Sequence, residues 1–116
     1  AVNFFKKAKQ ESKIQTIVKP ALESLEELKH QKFDMIFIDA DKMNYKEYYE
    51  RSIKLTNKNG LIIIDNVLWH GEVVDESNIN KFTMKIREFN NHVLNDKRVE
   101  QIIFPIGDGM TVCRVL

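Results

Sequence analysis

Three oxygen-bearing side chains stand at the ends of two apolar runs, and their types and spacing suit a hard cation. Met35, Ile36, Phe37 and Ile38 run into Asp39, with Asp41 and Lys42 just beyond. Leu61, Ile62, Ile63 and Ile64 run into Asp65 and Asn66. An apolar run of this length, β-branched and without polar alternation, reads as a strand buried on both faces of a parallel sheet. In open α/β sheets ligands sit outside the carboxyl ends of the strands, where both acids fall. Neighbouring strands lie ~4.8 Å apart, and two oxygens on one octahedral Mg²⁺, each ~2.1 Å from it, lie ~3–4 Å apart. Asp39, Asp65 and the Asn66 side-chain oxygen can therefore share one cation. A single acid at a strand end more often just caps the next loop. Asp-x-Asp-Lys and Asp-Asn on paired strands favour the shared site.

The elements that must position these groups follow from periodicity. Between the two runs, Tyr45–Leu55 is helical in pattern, and Asn59-Gly60 reads as a stop. That is strand–helix–strand, a right-handed crossover leaving the strands parallel and adjacent. After Asn66, residues Val67–Val74 carry Trp69, His70 and Gly71 and read as a loop over the carboxyl ends. Asp75, Ser77 or Asn78 can cap the next helix, whose apolar positions Ile79, Phe82, Ile86, Phe89 and Val93 step by threes and fours. It ends near Asn95-Asp96. Val99–Phe104 reads as a strand, residues 105–109 as a turn, and Met110–Leu116 as the antiparallel return. Upstream, Ala1–Gln10 is helical in pattern, Ile14–Val18 reads as a short strand, and Lys19-Pro20 turns the chain into a helix over Ala21–His30.

Composition bounds the alternatives. The 116 residues suffice for one domain with one core. A net charge of +1 with no basic block longer than a pair argues neither for nor against nucleic acid. No apolar run approaches a membrane span, and the N-terminus has no signal-peptide pattern. Cys113 is the single cysteine, which excludes an internal disulfide and fits a reducing cytoplasm.

The segments FDMIFIDADKMNYKEYYE, NGLIIIDNVLWHGEVVD, IREFN and PIGDGMTVCRV resemble the cation-dependent O-methyltransferases that use S-adenosylmethionine, of the caffeoyl-coenzyme-A/catechol type with bacterial relatives. The similarity runs over essentially all of the chain. It implies an α/β fold, a Rossmann-like class I methyltransferase sheet, mostly parallel with a C-terminal antiparallel pair. It also implies that Asp39, Asp65 and Asn66 are the metal ligands, the set that strand geometry selected. Lys42 falls where catechol-type members carry the general base. Asp41 and Ala21 match positions that approach the cofactor, and Tyr45 and Trp69 lie near the acceptor pocket of relatives. Lys19 departs from the pattern, since a glycine or small residue commonly precedes the Pro-Ala step. The implied ligands are S-adenosylmethionine, a divalent cation (Mg²⁺, with Mn²⁺ or Ca²⁺ as substitutes) and a small aromatic acceptor with adjacent hydroxyls. A cytoplasmic homodimer is expected on the same ground.

The largest departure is an absence. Family members carry an N-terminal half with a glycine-rich loop and an acid that grips the cofactor ribose, whereas the glycines here are Gly60, Gly71, Gly107 and Gly109. With the family's strand order 3-2-1-4-5-7-6, residues 1–116 read as the C-terminal portion of one O-methyltransferase domain, lacking the first two strands and the N-terminal cofactor-binding half. Three other readings remain. A hydroxylated tRNA uridine is an alternative acceptor. The piece alone is expected to be inactive, and as it stands it could serve only as a metal-binding or assembly fragment. A Mg²⁺-dependent phosphatase of the haloacid-dehalogenase type also has a strand ending in Asp-x-Asp, but it wants Thr or Val where Met43 stands.

Overall fold

A computed structural model describes all of residues 1–116. The elements are α1 (Val2–Lys7), α2 (Ala21–Glu27), β1 (Phe33–Ile38), α3 (Tyr45–Leu55), β2 (Thr56–Asp65), α4 (Lys81–Leu94), β3 (Val99–Phe104) and β4 (Met110–Val115). The sheet order is β1-β2-β4-β3. β1 and β2 are parallel, with Ile36, Phe37 and Ile38 opposite Ile62, Ile63 and Ile64. β2 pairs antiparallel with β4, and β4 with β3. The crossover and the closing hairpin are those the periodicity predicts.

One face of the sheet makes the core. α3 buries Tyr45, Tyr48, Tyr49, Ser52 and Leu55, and α4 buries Thr83, Ile86, Phe89 and Val93. Both stripes have helical spacing. They pack on Ile38, Ile62, Ile64, Val99, Cys113 and Val115. Burial pushes the Cys113 thiol up to about 12, so it stays protonated as a core side chain.

The opposite face corrects the expectation of strands buried on both sides. Met35 is 60% and Phe37 52% exposed. Phe37, Ile63, Val112 and Ile102 lie side by side across all four strands of that face. The physical reason is that helices α3 and α4 form a single layer, leaving an apolar row without a cover.

Three local expectations are also corrected. Ile14–Val18 joins no sheet, and Val18 is 91% exposed. A strand requires a neighbour for its ladder, and none lies beside it. Asn59-Gly60 does not end an element, because it forms a bulge inside β2, where Phe33 pairs with Thr56 but Met35 already pairs with Leu61. Asn59 is left-handed there (φ 66°). A Cβ on Gly60 would stand 2.6 Å from Thr56 Cγ2 and 2.9 Å from the Asn57 carbonyl, so only glycine fits this bulge. The cap of α4 is Asn80, whose Oδ1 accepts from the Phe82 N–H at 2.9 Å. Asp75 and Asn78 make earlier turns instead, accepting from Ser77 N–H and Asn80 N–H, and Ile79 lies outside the helix and exposed. No helix is long and apolar enough to cross a membrane.

Candidate functional site

Because Ile38 and Ile64 are register partners in a parallel pair, the next residues, Asp39 and Asp65, leave the sheet at the same rim. Asn66 follows with a left-handed backbone (φ 59°), a conformation asparagine tolerates better than most residues. Its N–H donates to Asp65 Oδ1 at 2.7 Å. The turn after β1 returns Lys42 to the rim. Lys42 Nζ donates to Asn66 Oδ1 at 2.8 Å and lies 3.5 Å from Asp39 Oδ1. One ammonium thus gathers oxygens from the ends of both strands. Asp39 Oδ1 and Asn66 Oδ1 lie around a point that already holds positive charge, and Asp65 stands at the same rim; hard oxygens of this kind are what a divalent cation takes. The donor set fits.

Tyr45 meets this group from beneath. It is 1% exposed, with its ring edge-on to Phe89 at 5.4 Å. Its hydroxyl accepts from Lys42 Nζ and donates to the Asp65 carbonyl at 2.8 Å. Burial first, then the Asp39 and Asp65 charges, hold the phenol well above its ordinary value, so it remains a donor. The Lys42 Nζ also sits 4.6 Å from the Tyr45 ring centroid. Tyr45 therefore links the lysine to β2.

Trp69 stands on the loop that follows Asn66. Trp69, His70 and Gly71 are consecutive left-handed residues (φ 49°, 57° and 80°). The half-buried indole lies 6.1 Å from the Phe82 ring of α4. The loop is pinned to the β3–β4 turn, where Val67 and Leu68 N–H donate to the Gly109 and Asp108 carbonyls and His70 N–H donates to Asp108 Oδ1. A Cβ on Gly109 would fall 2.3 Å from Leu68 Cγ, and its φ is 79°. Glycine is required for this contact.

Ala21 and Asp41 lie on the other flank. Ala21 borders an apolar cleft between α2 and β1 with Leu25, Ile36, Ala40 and Tyr48, and Asp39 stands at its edge. Ser52 Oγ lines this cleft, buried and without a hydrogen-bond partner. Asp41 is engaged by its own turn, accepting from Tyr48 Oη and from Asn44 Nδ2 at 2.8 Å.

A second acidic cluster has no counterpart in the sequence reading. Glu50, His92 and Asp96 bring one donor atom each within 4.8 Å of one another. Arg98 already spans both carboxylates, at 2.7 Å from Glu50 and 2.6 Å from Asp96, and His92 Nε2 lies 2.7 Å from Glu50. The Arg98 hydrogen bonds pull Asp96 down to about 2 and lower Glu50 as well. A cation here would have to displace the guanidinium. Asp96-x-Arg98 was a local hint, but the partnership with Glu50 spans 48 residues and carries no sequence signal. Also unforeseen is a polar stripe on α4, Thr83, Arg87 and Asn90, at helical spacing of four and three. All three hydrogen bond to the Trp69 loop region.

Comparison with known proteins supplies the family context. The family described as O-methyltransferase matches residues 1–116. The chain is 44% identical to probable caffeoyl-CoA O-methyltransferase 1 of Dictyostelium discoideum, over 97% of this chain and 51% of that protein. It is 45% identical to caffeoyl-CoA O-methyltransferase 1 of Zea mays, over 82% of this chain and 40% of that one. Its fold superposes on the O-methyltransferase from Bacillus cereus solved in complex with SAH, with a TM-score of 0.89 and 30% identity, covering 100% of this chain and 56% of that one. The chain spans about half the length of the curated relatives it matches.

Proposed function

The chain belongs to the O-methyltransferase family, and from that premise we propose that its protein methylates a hydroxyl of a small aromatic acceptor with adjacent oxygens, with S-adenosylmethionine as donor and Mg²⁺ as the bound cation. The four-stranded mixed sheet is part of a Rossmann-like class I methyltransferase sheet. Residues 1–116 are then the C-terminal portion of one domain about twice as long, and the open sheet face with Met35 and Phe37 receives the remainder.

The observation that carries the reading is the shared rim: Asp39 and Asp65-Asn66 leave neighbouring parallel strands together, with Lys42 Nζ between them. In this reading Asp39, Asp65 and Asn66 would hold the cation, which would supply positive charge beside the acceptor's hydroxyls. Lys42, as its neutral amine, would take the proton from the reacting hydroxyl. Tyr45 keeps Lys42 in reach by hydrogen bonding to it. Trp69 walls the acceptor ring. Ala21 and Asp41 border the cofactor, a reading supported for Ala21 by the apolar cleft and the orphan Ser52 hydroxyl in it. Holding the reacting oxygen in line with the methyl group is the main contribution such a site makes to the rate.

The test is methyl transfer from labelled S-adenosylmethionine to a catechol by the full-length protein, with and without EDTA. Transfer that EDTA stops and Mg²⁺ restores supports the reading; transfer indifferent to chelation overturns the cation's part in it.

A further inference from the structure

Arg87 makes an unusual set of contacts for a helix arginine. Its guanidinium binds no carboxylate and instead donates to four backbone carbonyls. Nε reaches Val73 O at 2.9 Å, Nη1 reaches Asn78 O at 2.9 Å, and Nη2 reaches Glu72 O at 3.2 Å and also Asp75 O. All four carbonyls lie on the segment that joins the Trp69 loop to α4. The same helix face adds two further ties: Thr83 Oγ1 donates to Glu72 Oε2 at 2.6 Å, and Asn90 Nδ2 donates to Val67 O at 2.8 Å. Glu72 Oε2 also accepts from Asn78 Nδ2 at 3.1 Å.

The segment needs such ties. It has no strand pairing, and the loop that leads into it includes two non-glycine residues held in the left-handed region, Trp69 and His70. Such conformations cost of order 1–3 kcal/mol each and persist only where surrounding contacts over-determine them. A planar group with five fixed N–H donors can hold several carbonyls at once, which a lysine's single ammonium cannot reproduce with the same geometry. Trp69 in turn rests against Phe82, one turn earlier on α4, so helix, loop and indole move as one unit while the clamp holds.

We infer that Arg87 is a positioning residue for acceptor recognition: by fixing the Glu72–Asn78 backbone it sets where Trp69 stands at the rim of the site. The inference rests on the acceptor reading given above for Trp69. It makes the acceptor wall preset by α4 and not a lid that closes over substrate. Arg87 touches neither the acceptor nor the cation-binding oxygens, so its loss acts on acceptor binding and leaves the chemical step intact.

Trp69 is the single tryptophan in these 116 residues, which gives a readout that needs no turnover. In the full-length protein, with a Trp69→Phe control to subtract any other tryptophan, Arg87→Lys should raise acrylamide quenching of Trp69 severalfold. It should raise KM for a catechol acceptor about tenfold while kcat stays within about twofold. S-adenosylmethionine affinity should be unchanged. Thr83→Val, removing a peripheral tie, should move quenching and KM the same way by less. Should Arg87→Lys fail to fold, Thr83→Val still carries the test. Unchanged quenching in the folded variants overturns the clamp. So does a fall in kcat at constant KM. If the parent protein transfers no methyl group yet Arg87→Lys loosens Trp69, the acceptor reading fails while the clamp stands. If transfer occurs and both readouts stay fixed, the clamp fails and the reading stands.

Discussion

Two acidic clusters sit at opposite rims of one sheet, and they use their charges in opposite ways. At the amino rim of β2, where Arg98 precedes β3, Asp96 and Glu50 are saturated by a guanidinium, a histidine and the Tyr49 hydroxyl. The Asp96 side chain is 6% exposed. At the carboxyl rim, Asp39 has a single lysine at 3.5 Å and its side chain is 57% exposed, while Asp65 accepts from the Asn66 N–H. The first cluster is closed by fork-shaped partners that match carboxylates in pairs. The second has no such fork, only the Lys42 ammonium beside a carboxylate left more than half exposed. Residue type alone does not separate a structural knot from a site; the completeness of its hydrogen bonding does.

The sharpest break of that contrast is a matched pair of alanine substitutions. Asp65→Ala should lower Mg²⁺-dependent methyl transfer at least about a hundredfold, the scale expected when a cation that stabilises developing charge is lost. Asp96→Ala should leave kcat within about twofold in whatever protein remains folded. Equal losses in both variants, measured per folded molecule, would erase the distinction between the rims.

Next in size is the stability of the knot. Arg98→Met leaves the nearly buried Asp96 carboxylate with only the Tyr49 hydroxyl and the backbone N–H of residue 98 as partners, and should cost about 2–3 kcal/mol in urea denaturation. Asp39→Asn at the open rim should cost less than about 1 kcal/mol, because its carboxylate is more than half exposed. A larger loss from Asp39→Asn would mean that the rim is built for stability.

The knot should also be the acid-sensitive part. Asp96 has a folded value of about 2, below its ordinary 3.8. Its stabilising contribution is therefore fully present above pH 4 and is lost as pH falls toward 2. A shift of this size corresponds to about 2 kcal/mol before solvent screening is allowed for. Glu50 is lowered too, by the same guanidinium and by His92, and acts in the same direction. Denaturation midpoints followed from pH 5 to pH 2 should fall, and Asp96→Asn should flatten that fall. A slope unchanged by the substitution would place acid sensitivity elsewhere.

The open rim was legible in the sequence because each strand is a continuous apolar run ending abruptly in an acid, so the position of both acids was written in adjacent letters. The hairpin from Val99 and the α3 stripe were legible for the same local reason. What failed were features that depend on a neighbour. Ile14–Val18 has the pattern of a strand without a ladder to join. Asn59-Gly60 has the letters of a stop but is absorbed as a bulge, because β2 outruns β1 at that end. The Arg98 knot joins residues from α3, α4 and the start of β3, and no spacing rule connects Glu50 to Arg98. The Thr83–Arg87–Asn90 stripe stands at helical spacing beside buried Ile86 and Phe89, but its partners, the Glu72 carboxylate and backbone carbonyls of an irregular loop, follow no spacing rule.

The smallest effect is also the finest discriminator, since it compares two buried tyrosines on one helix, each of which packs edge-on against Phe89 and donates a hydrogen bond toward one cluster. Tyr45→Phe and Tyr49→Phe remove one oxygen apiece and leave the rings in place. Tyr49→Phe takes a donor from Asp96, which retains Arg98, so it should lower stability by about 1 kcal/mol and leave turnover alone. Tyr45→Phe frees Lys42 from its tie to the Asp65 carbonyl, and should lower kcat about tenfold with KM nearly constant, as losses of groups that orient a ligand shell do. The Lys42 ammonium keeps Asn66 Oδ1 as a partner, which is why the loss stays well short of that for Asp65→Ala. If the two phenylalanine variants exchange these phenotypes, so that Tyr49 governs turnover and Tyr45 only stability, the catalytic rim has been placed at the wrong end of the sheet.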